Sequence, residues 1–239
     1  QNGLVLGVGH ERRFEKGWMK LKEIINSNKL GNIMHAEAHF SHDKLANLPV
    51  DNWRADPEFA PAAGMTGMGV HLTDLMIWLF GPVDKVFAST AKRALKFKTG
   101  DVVTASLQHS SGLNSQITAI LKTPHYQRVT IWGESGWVEL VDSSHPDTPG
   151  PSFMKIVMND GTVKEENFEW TDTVSANIHN FIDGIQGQRK YLFTDVEKFQ
   201  NISVLEAIYK SSLSKQNEKV ESFNSVSYTH LRAHETYPH

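Results

Sequence analysis

Val129-Thr130-Ile131-Trp132 and Trp137-Val138-Glu139-Leu140-Val141, joined by Gly133-Glu134-Ser135-Gly136, decide the fold. Two strand-like runs separated by so short a turn must lie side by side and antiparallel, because a parallel connection needs about a dozen residues or more. Working outward, strand-like stretches near 83–91, 101–109, 114–122, 128–132, 137–141, 153–158 and 163–168 succeed one another, with Asn159-Asp160-Gly161 marking a second tight turn. Further upstream, Met34, Ala36, Ala38 and Phe40 alternate with His35, Glu37, His39 and Ser41, the period of a strand buried on one face.

Helical patterns flank these strands. Phe14, Trp18, Leu21 and Ile25 predict a first helix that ends before Gly31, and Leu72, Leu75, Met76 and Leu79 predict one opened by glycines and stopped by Gly81-Pro82. Near the end, Ile178, Phe181, Ile182 and Ile185 form one apolar stripe. Val196, Phe199, Ile202, Leu205 and Tyr209 form another, introduced by the capping box Thr194-Asp195-Val196-Glu197. Strands in a run with helices at the ends predict an α+β domain, a mostly antiparallel open sheet with helices on one face. The other face would be free for a partner subunit.

The 239 residues suffice for one large domain. Lys+Arg 24 against Asp+Glu 27, a formal charge of -3, gives no electrostatic pull toward nucleic acid or anionic membrane. Without cysteine there are no disulfides, thiolate metal sites or cysteine nucleophiles. No apolar run approaches the roughly 20 residues of a membrane span. These features predict a soluble cytoplasmic protein with small-molecule partners. At the start, Leu4-Val5-Leu6-Gly7-Val8 reads as a buried strand of a parallel sheet, which needs neighbours. At the end, Ser227 through Thr236 has neither helical nor strand period and reads as non-native sequence.

The most chemically suggestive stretch is Gly67-Met68-Gly69-Val70-His71-Leu72-Thr73-Asp74. His71 and Asp74, three apart, share a flank near a helix start, where an imidazole and free backbone amides suit work on an oxygen-bearing substrate. Two other patterns carry less. Gly7-Val8-Gly9 follows a strand-like run, but Arg12 stands where a dinucleotide loop has its third glycine. His35, Glu37 and His39, with His42, could be drawn as a metal site, yet they read as the solvated face of a strand, and no metal is expected.

Gly7-Val8-Gly9-His10-Glu11-Arg12-Arg13-Phe14, the helix ending Leu30-Gly31, Asn52-Trp53-Arg54-Ala55-Asp56, Gly64 through Asp74, Gly81-Pro82-Val83 and a last helix reaching Tyr209-Lys210-Ser211-Ser212 together resemble the Gfo/Idh/MocA family, the glucose-fructose oxidoreductase and inositol dehydrogenase relatives. The resemblance covers about residues 4 to 222. It implies an enzyme that binds NAD or NADP on an N-terminal Rossmann domain and moves hydride to or from a sugar or polyol held against the sheet of a second domain. Residues 1–13 would then be a remnant of the dinucleotide-binding domain, 14–225 the substrate and oligomerisation domain, and 226–239 a non-native tail. The family's glycine-rich loop and its Glu-Lys-Pro motif, which bears the catalytic lysine, are not in this sequence. The chain alone is therefore expected to lack activity.

By the same resemblance His71 is the histidine beside the reacting hydroxyl or carbonyl, and Trp53 and Arg54 are the pair that approaches the cofactor. Arg12 and Arg13 follow the last Rossmann strand at the interdomain cleft, Arg13 assigned to cofactor and Arg12 to substrate, with the cleft-facing one undecided. Gly67 stands where many relatives carry an aspartate, so Asp74 is the nearest acid that could substitute. Two other functions stay open at this point: a non-catalytic binding or oligomerisation module, and a relative that uses NAD only transiently for isomerisation, elimination or glycoside cleavage.

Overall fold

Tyr126–Gly133 and Gly136–Asp142 form the expected hairpin, with Gly133 opposite Gly136 and Trp132 opposite Trp137. The computed structural model describes residues 4–49 and 51–222; the expected non-native tail at 226–239 lies outside the described residues. In chain order the strands are β1 (Ile33–Ser41), β2 (Val83–Ala91), β3 (Val102–His109), β4 (Asn114–Ile120), β5 (Tyr126–Gly133), β6 (Gly136–Asp142), β7 (Ser152–Met158), β8 (Val163–Phe168) and β9 (Glu218–Lys219). They make one nine-stranded sheet in the order β8-β7-β6-β5-β1-β4-β3-β2-β9. Its pairs are antiparallel except β1 with β4, which run parallel. At the β7–β8 turn Gly161 has φ +85°, a left-handed conformation that explains the glycine of Asn159-Asp160-Gly161.

The helices are α1 (Lys16–Asn26), α2 (Gly69–Phe80), α3 (Thr173–Ile185) and α4 (Asp195–Ser214). Strand alternation sorts the side chains. Ala36, Ala38 and Phe40 of β1, Leu107 of β3, Ile117 of β4, Val129 and Ile131 of β5 and Leu140 of β6 are buried against Trp18 and Leu21 of α1 and Leu72, Leu75 and Met76 of α2. The intervening residues, His35, Glu37 and His39 of β1 with Arg128 and Trp132 of β5, lie on the opposite face, where Arg128 pairs with Glu37 and Glu139 and His35 stacks on Trp132. That face has no helix over it among the described residues, as the alternation predicted.

Three expectations need correction. Residues 4–10 form no strand, and Leu4 and Leu6 are 85% and 64% exposed. Without a neighbouring strand, their backbone groups turn to side chains. Asn177 donates to the Val8 carbonyl at 2.8 Å, Lys198 to the Leu6 carbonyl at 2.9 Å, and the Val8 amide donates to the Tyr191 hydroxyl at 3.2 Å.

Helix α3 packs on the short 3₁₀ turn Glu11–Phe14, and its stripe is open, with Ile178, Ile182 and Ile185 all exposed. Helix α4 splits its expected stripe: Val196 and Ile202 are exposed, Leu205 and Tyr209 are partly buried against the core, and Val204, Ala207 and Ile208 face the sheet beside buried Gln200, Asn201, Ser203, Ser211 and Ser212. Hydrogen bonds make that polar side fit for burial. Gln200 donates to the Val83 carbonyl at 3.2 Å, and the Ser211 hydroxyl accepts from the Ala88 amide at 2.8 Å. Ile208→Ala is accordingly expected to cost about 2–5 kcal/mol in a urea titration. Ile202→Ala should stay within about 0.5 kcal/mol of the parent. Equal costs at the two positions would contradict this placement of α4.

Candidate active site

Helix α2 starts where the chain approaches itself closely. A Cβ on Gly69 would stand 2.3 Å from the Met65 sulfur, so a side chain there would push the Met65 thioether aside. His71 falls in the first turn of α2, half-buried, and meets His10 from the segment before α1. The two rings sit edge to face with centroids 5.3 Å apart and Nδ1 atoms 3.4 Å apart. Asn201 of α4 reaches the same point, its amide nitrogen 3.1 Å from His10 Nε2 and 3.2 Å from the Val70 carbonyl. Thr73 donates to the Asn201 side-chain oxygen at 2.5 Å.

Further histidines surround Phe40 at the end of β1. His42, His125 and His145 each approach the Phe40 ring, and Arg12 lies 4.5 Å over it. Burial holds His71 far below its ordinary value, at about 3, with the neighbouring His10, Arg12, His145 and His42 adding to the effect. Burial likewise lowers His42 to about 4, helped by His145, Lys44, His125 and Arg12. Both rings are therefore neutral at pH 7. Beneath them burial pushes the Glu15 carboxyl well above the usual range, with Arg12 opposing and Asp142 adding. Arg12 bonds Glu15 at 2.6 Å and lies 3.8 Å from Asp142.

These depressed histidines set the pH dependence of stability. Below about pH 6.5 the unfolded chain takes up protons that folded His42 and His71 refuse. Stability is thus full above pH 6.5 and is lost as pH falls through 6.5 toward 4, by up to about 1.4 kcal/mol per unit for each group. Urea titrations between pH 7 and 4.5 should show that fall, and His42→Gln should flatten it. A stability that rises on acidification would contradict the burial of these rings.

The other expected site residues separate into two sets. Arg13 and Asp74 meet in a fully buried two-point pair, Nε to Oδ2 at 2.8 Å and Nη2 to Oδ1 at 2.7 Å. Arg13 is further held by Glu197 at 3.2 Å and by the Phe193 ring 4.3 Å away. Neither Arg12 nor Arg13 opens to solvent, and both Asp74 oxygens accept from Arg13. Arg13 and Asp74 thus hold each other and Arg12 is held by Glu15 near Asp142, whereas the sequence assigned Arg13 to cofactor and Arg12 and Asp74 to substrate.

Trp53 and Arg54, in contrast, are exposed on the short turn Trp53–Ala55, the guanidinium stacked 4.2 Å from the indole. Among the described residues no carboxylate pairs with Arg54. It lines a shallow recess with Leu45, Leu48 and Gly67. A Cβ on Gly67 would come 2.7 Å from Leu45 Cδ1, so the family's aspartate would need Leu45 to turn aside.

Sequence reasoning missed His10, His125, His145 and Asn201. Histidines placed just before or after strand ends were the available signal, whereas Asn201 sits in an interior helix position with none. The metal-like set is split by the strand: His35, Glu37 and His39 lie on the open face and His42 on the helix face. Among the described residues no group of histidine and acidic side chains is arranged to hold a metal ion. Nor is any described helix long and apolar enough to cross a membrane.

A profile for the GFO/IDH/MocA C-terminal domain matches residues 18–139, just over half of the chain. The chain belongs to this family of oxidoreductases. It is 23% identical over 232 residues to the glucose-6-phosphate 3-dehydrogenase of Bacillus subtilis, covering 85% of this chain and 63% of that enzyme. In fold it is similar to the aldose-aldose oxidoreductase of Caulobacter crescentus complexed with glycerol, with a TM-score of 0.78 at 17% identity over 91% of this chain and 64% of that one. It is also similar to levoglucosan dehydrogenase in complex with NADH and L-sorbose, at a TM-score of 0.79 and 15% identity over 92% and 67% of the two chains. The chain spans only 27% and 37% of the length of two further curated oxidoreductases it matches.

Proposed function

We propose that this chain is the substrate-side part of an oxidoreductase that uses NAD or NADP to move hydride to or from a sugar or polyol, with the nucleotide held mainly by an N-terminal domain outside these residues. The observation that carries the reading is His71: a neutral imidazole on the first turn of a glycine-opened helix, half-buried among polar side chains, in a chain whose family is oxidoreductases. The glucose-6-phosphate 3-dehydrogenase and the levoglucosan dehydrogenase complex with NADH and L-sorbose support the substrate class and the nicotinamide. The exposed stripe of Ile178, Ile182 and Ile185, with Leu4 and Leu6, is the apolar surface on which the N-terminal domain would rest.

The residues present fit one edge of the cofactor. Arg54, without a carboxylate partner among the described residues and stacked on Trp53, offers a guanidinium to phosphate and an indole wall to a flat ring. A bound nicotinamide would supply the hydride acceptor or donor. This chain's residues would do the rest: His71 would hold a hydrogen bond to the reacting oxygen, while Arg12, Arg13 and Asp74 keep α1 and α2 in register beneath it. The described chain alone should show no tight NAD(H) binding by calorimetry; tight binding would overturn the division of labour proposed here.

The open sheet face completes the proposal. Phe87, Tyr126 and Phe153 are exposed on it, and burial of that face in a homo-oligomer would cover them. Sedimentation should report an oligomer that Phe153→Glu weakens, and a monomer at all concentrations would contradict this part of the reading.

A further inference from the structure

We infer that His10 and Asn201 fix the tautomer of His71, so that its imidazole offers an Nε2–H donor, rather than a bare nitrogen, to a ligand oxygen. The inference rests on the proposed active site only for the identity of that oxygen. The tautomer itself follows from the hydrogen-bond network.

The chain of constraints begins at a backbone carbonyl, which can only accept. The Asn201 side-chain atom 3.2 Å from the Val70 carbonyl must therefore be the amide nitrogen, which places its oxygen against the Thr73 hydroxyl at 2.5 Å. The same nitrogen lies 3.1 Å from His10 Nε2, and its second hydrogen points there. His10 Nε2 must then be unprotonated. Burial keeps His10 below its ordinary value, with Asp74 opposing, so the neutral ring carries its one hydrogen on Nδ1.

That hydrogen faces His71 Nδ1 at 3.4 Å. Two N–H groups aimed at each other would collide, so His71 Nδ1 accepts. The remaining proton of neutral His71 is on Nε2, for which the described residues provide no hydrogen-bond partner. His10 and Asn201 act through His71 and are positioning residues. A donor aimed at the reacting oxygen stabilises a carbonyl or a developing alkoxide; it does not by itself remove a hydroxyl proton.

The test uses the chain itself, ¹⁵N-labelled, with long-range ¹H–¹⁵N correlation of the histidine rings at pH 7. His71 should show a single Nε2–H tautomer with an accepting Nδ1. In His10→Phe it should become a mixture of the two tautomers. In Asn201→Leu, which frees His10 Nε2 to take the proton, it should shift the same way. The backbone amide spectrum of the sheet reports whether each variant is folded, and the parent spectrum decides the tautomer even if a variant is not. An Nδ1–H tautomer in the parent, or an unchanged His71 signature in folded His10→Phe, overturns the inference. Absence of nicotinamide-dependent oxidation in the longer protein would instead sink the proposed activity and leave the tautomer standing.

Discussion

Replacing Asp74 with alanine is expected to lower the stability of the fold by about 3–5 kcal/mol, the largest cost of any single change near the site. The reason is the state of what remains. Arg13 is fully buried and bonded to Asp74 at two points, so removing the carboxylate strands a guanidinium with only Glu197, 3.2 Å from Nη1, and the faces of Phe193 and Trp78 for company. The pair need not be worth that much in itself, because burying both charges already cost desolvation energy. The double replacement Arg13→Met with Asp74→Leu should therefore cost less than Asp74→Ala alone. Urea titrations of the three proteins check this, and an Asp74→Ala variant as stable as the parent would show that the pair is not buried as described.

Replacing His71 with alanine carries the largest expected effect on activity. In the longer protein, kcat/KM for the sugar or polyol should fall by about 10²–10⁴, the range for removing a positioned group that acts on the reacting oxygen. Stability at pH 7 should change far less than in Asp74→Ala, since the side-chain hydrogen bond of the neutral His71 ring is the long one to His10, with no buried charge left behind. Steady-state rates set beside a urea titration separate the two effects. A loss of activity matched by an equal loss of folded protein would remove His71 from the chemistry.

The contrast between these residues shows what the sequence could reveal. The stripe of Leu72, Leu75, Met76 and Leu79 was legible because apolar side chains at helical spacing have one way to hide, and all four are buried. The tight turns at 133–136 and 159–161 fixed the antiparallel neighbours, and Thr194 with Glu197 forms the reciprocal cap that its spacing promised. Helix α4 was misread for a physical reason. Its buried side includes Gln200, Asn201 and Ser211, which hydrogen-bond to β2, to α2 and to the turn after α4. A pattern of apolar residues alone therefore catches only the edge of the buried side, at Leu205 and Tyr209.

The site was less legible because its pairs are distant in sequence. Arg13 and Asp74 are 61 residues apart, and His10 and Asn201 are 191 apart. Spacing leaves no trace of such contacts. Arg13, Asp74 and Arg12 were singled out by the resemblance, but a sequence does not show that Arg13 and Asp74 will pair with each other in the interior. Leu4 to Val8 was read as a strand that needs neighbours, and without one among the described residues it forms none.

The proposal that His71 faces the reacting oxygen at a nicotinamide is tested most directly by a crystal structure of the proposed two-domain enzyme with NADH or NADPH bound. The account predicts the nicotinamide ring in contact distance of His71, with Trp53 and Arg54 along its cofactor and the apolar stripe of α3 covered by the nucleotide-binding domain. A nicotinamide bound elsewhere, with His71 buried under that domain, would contradict it.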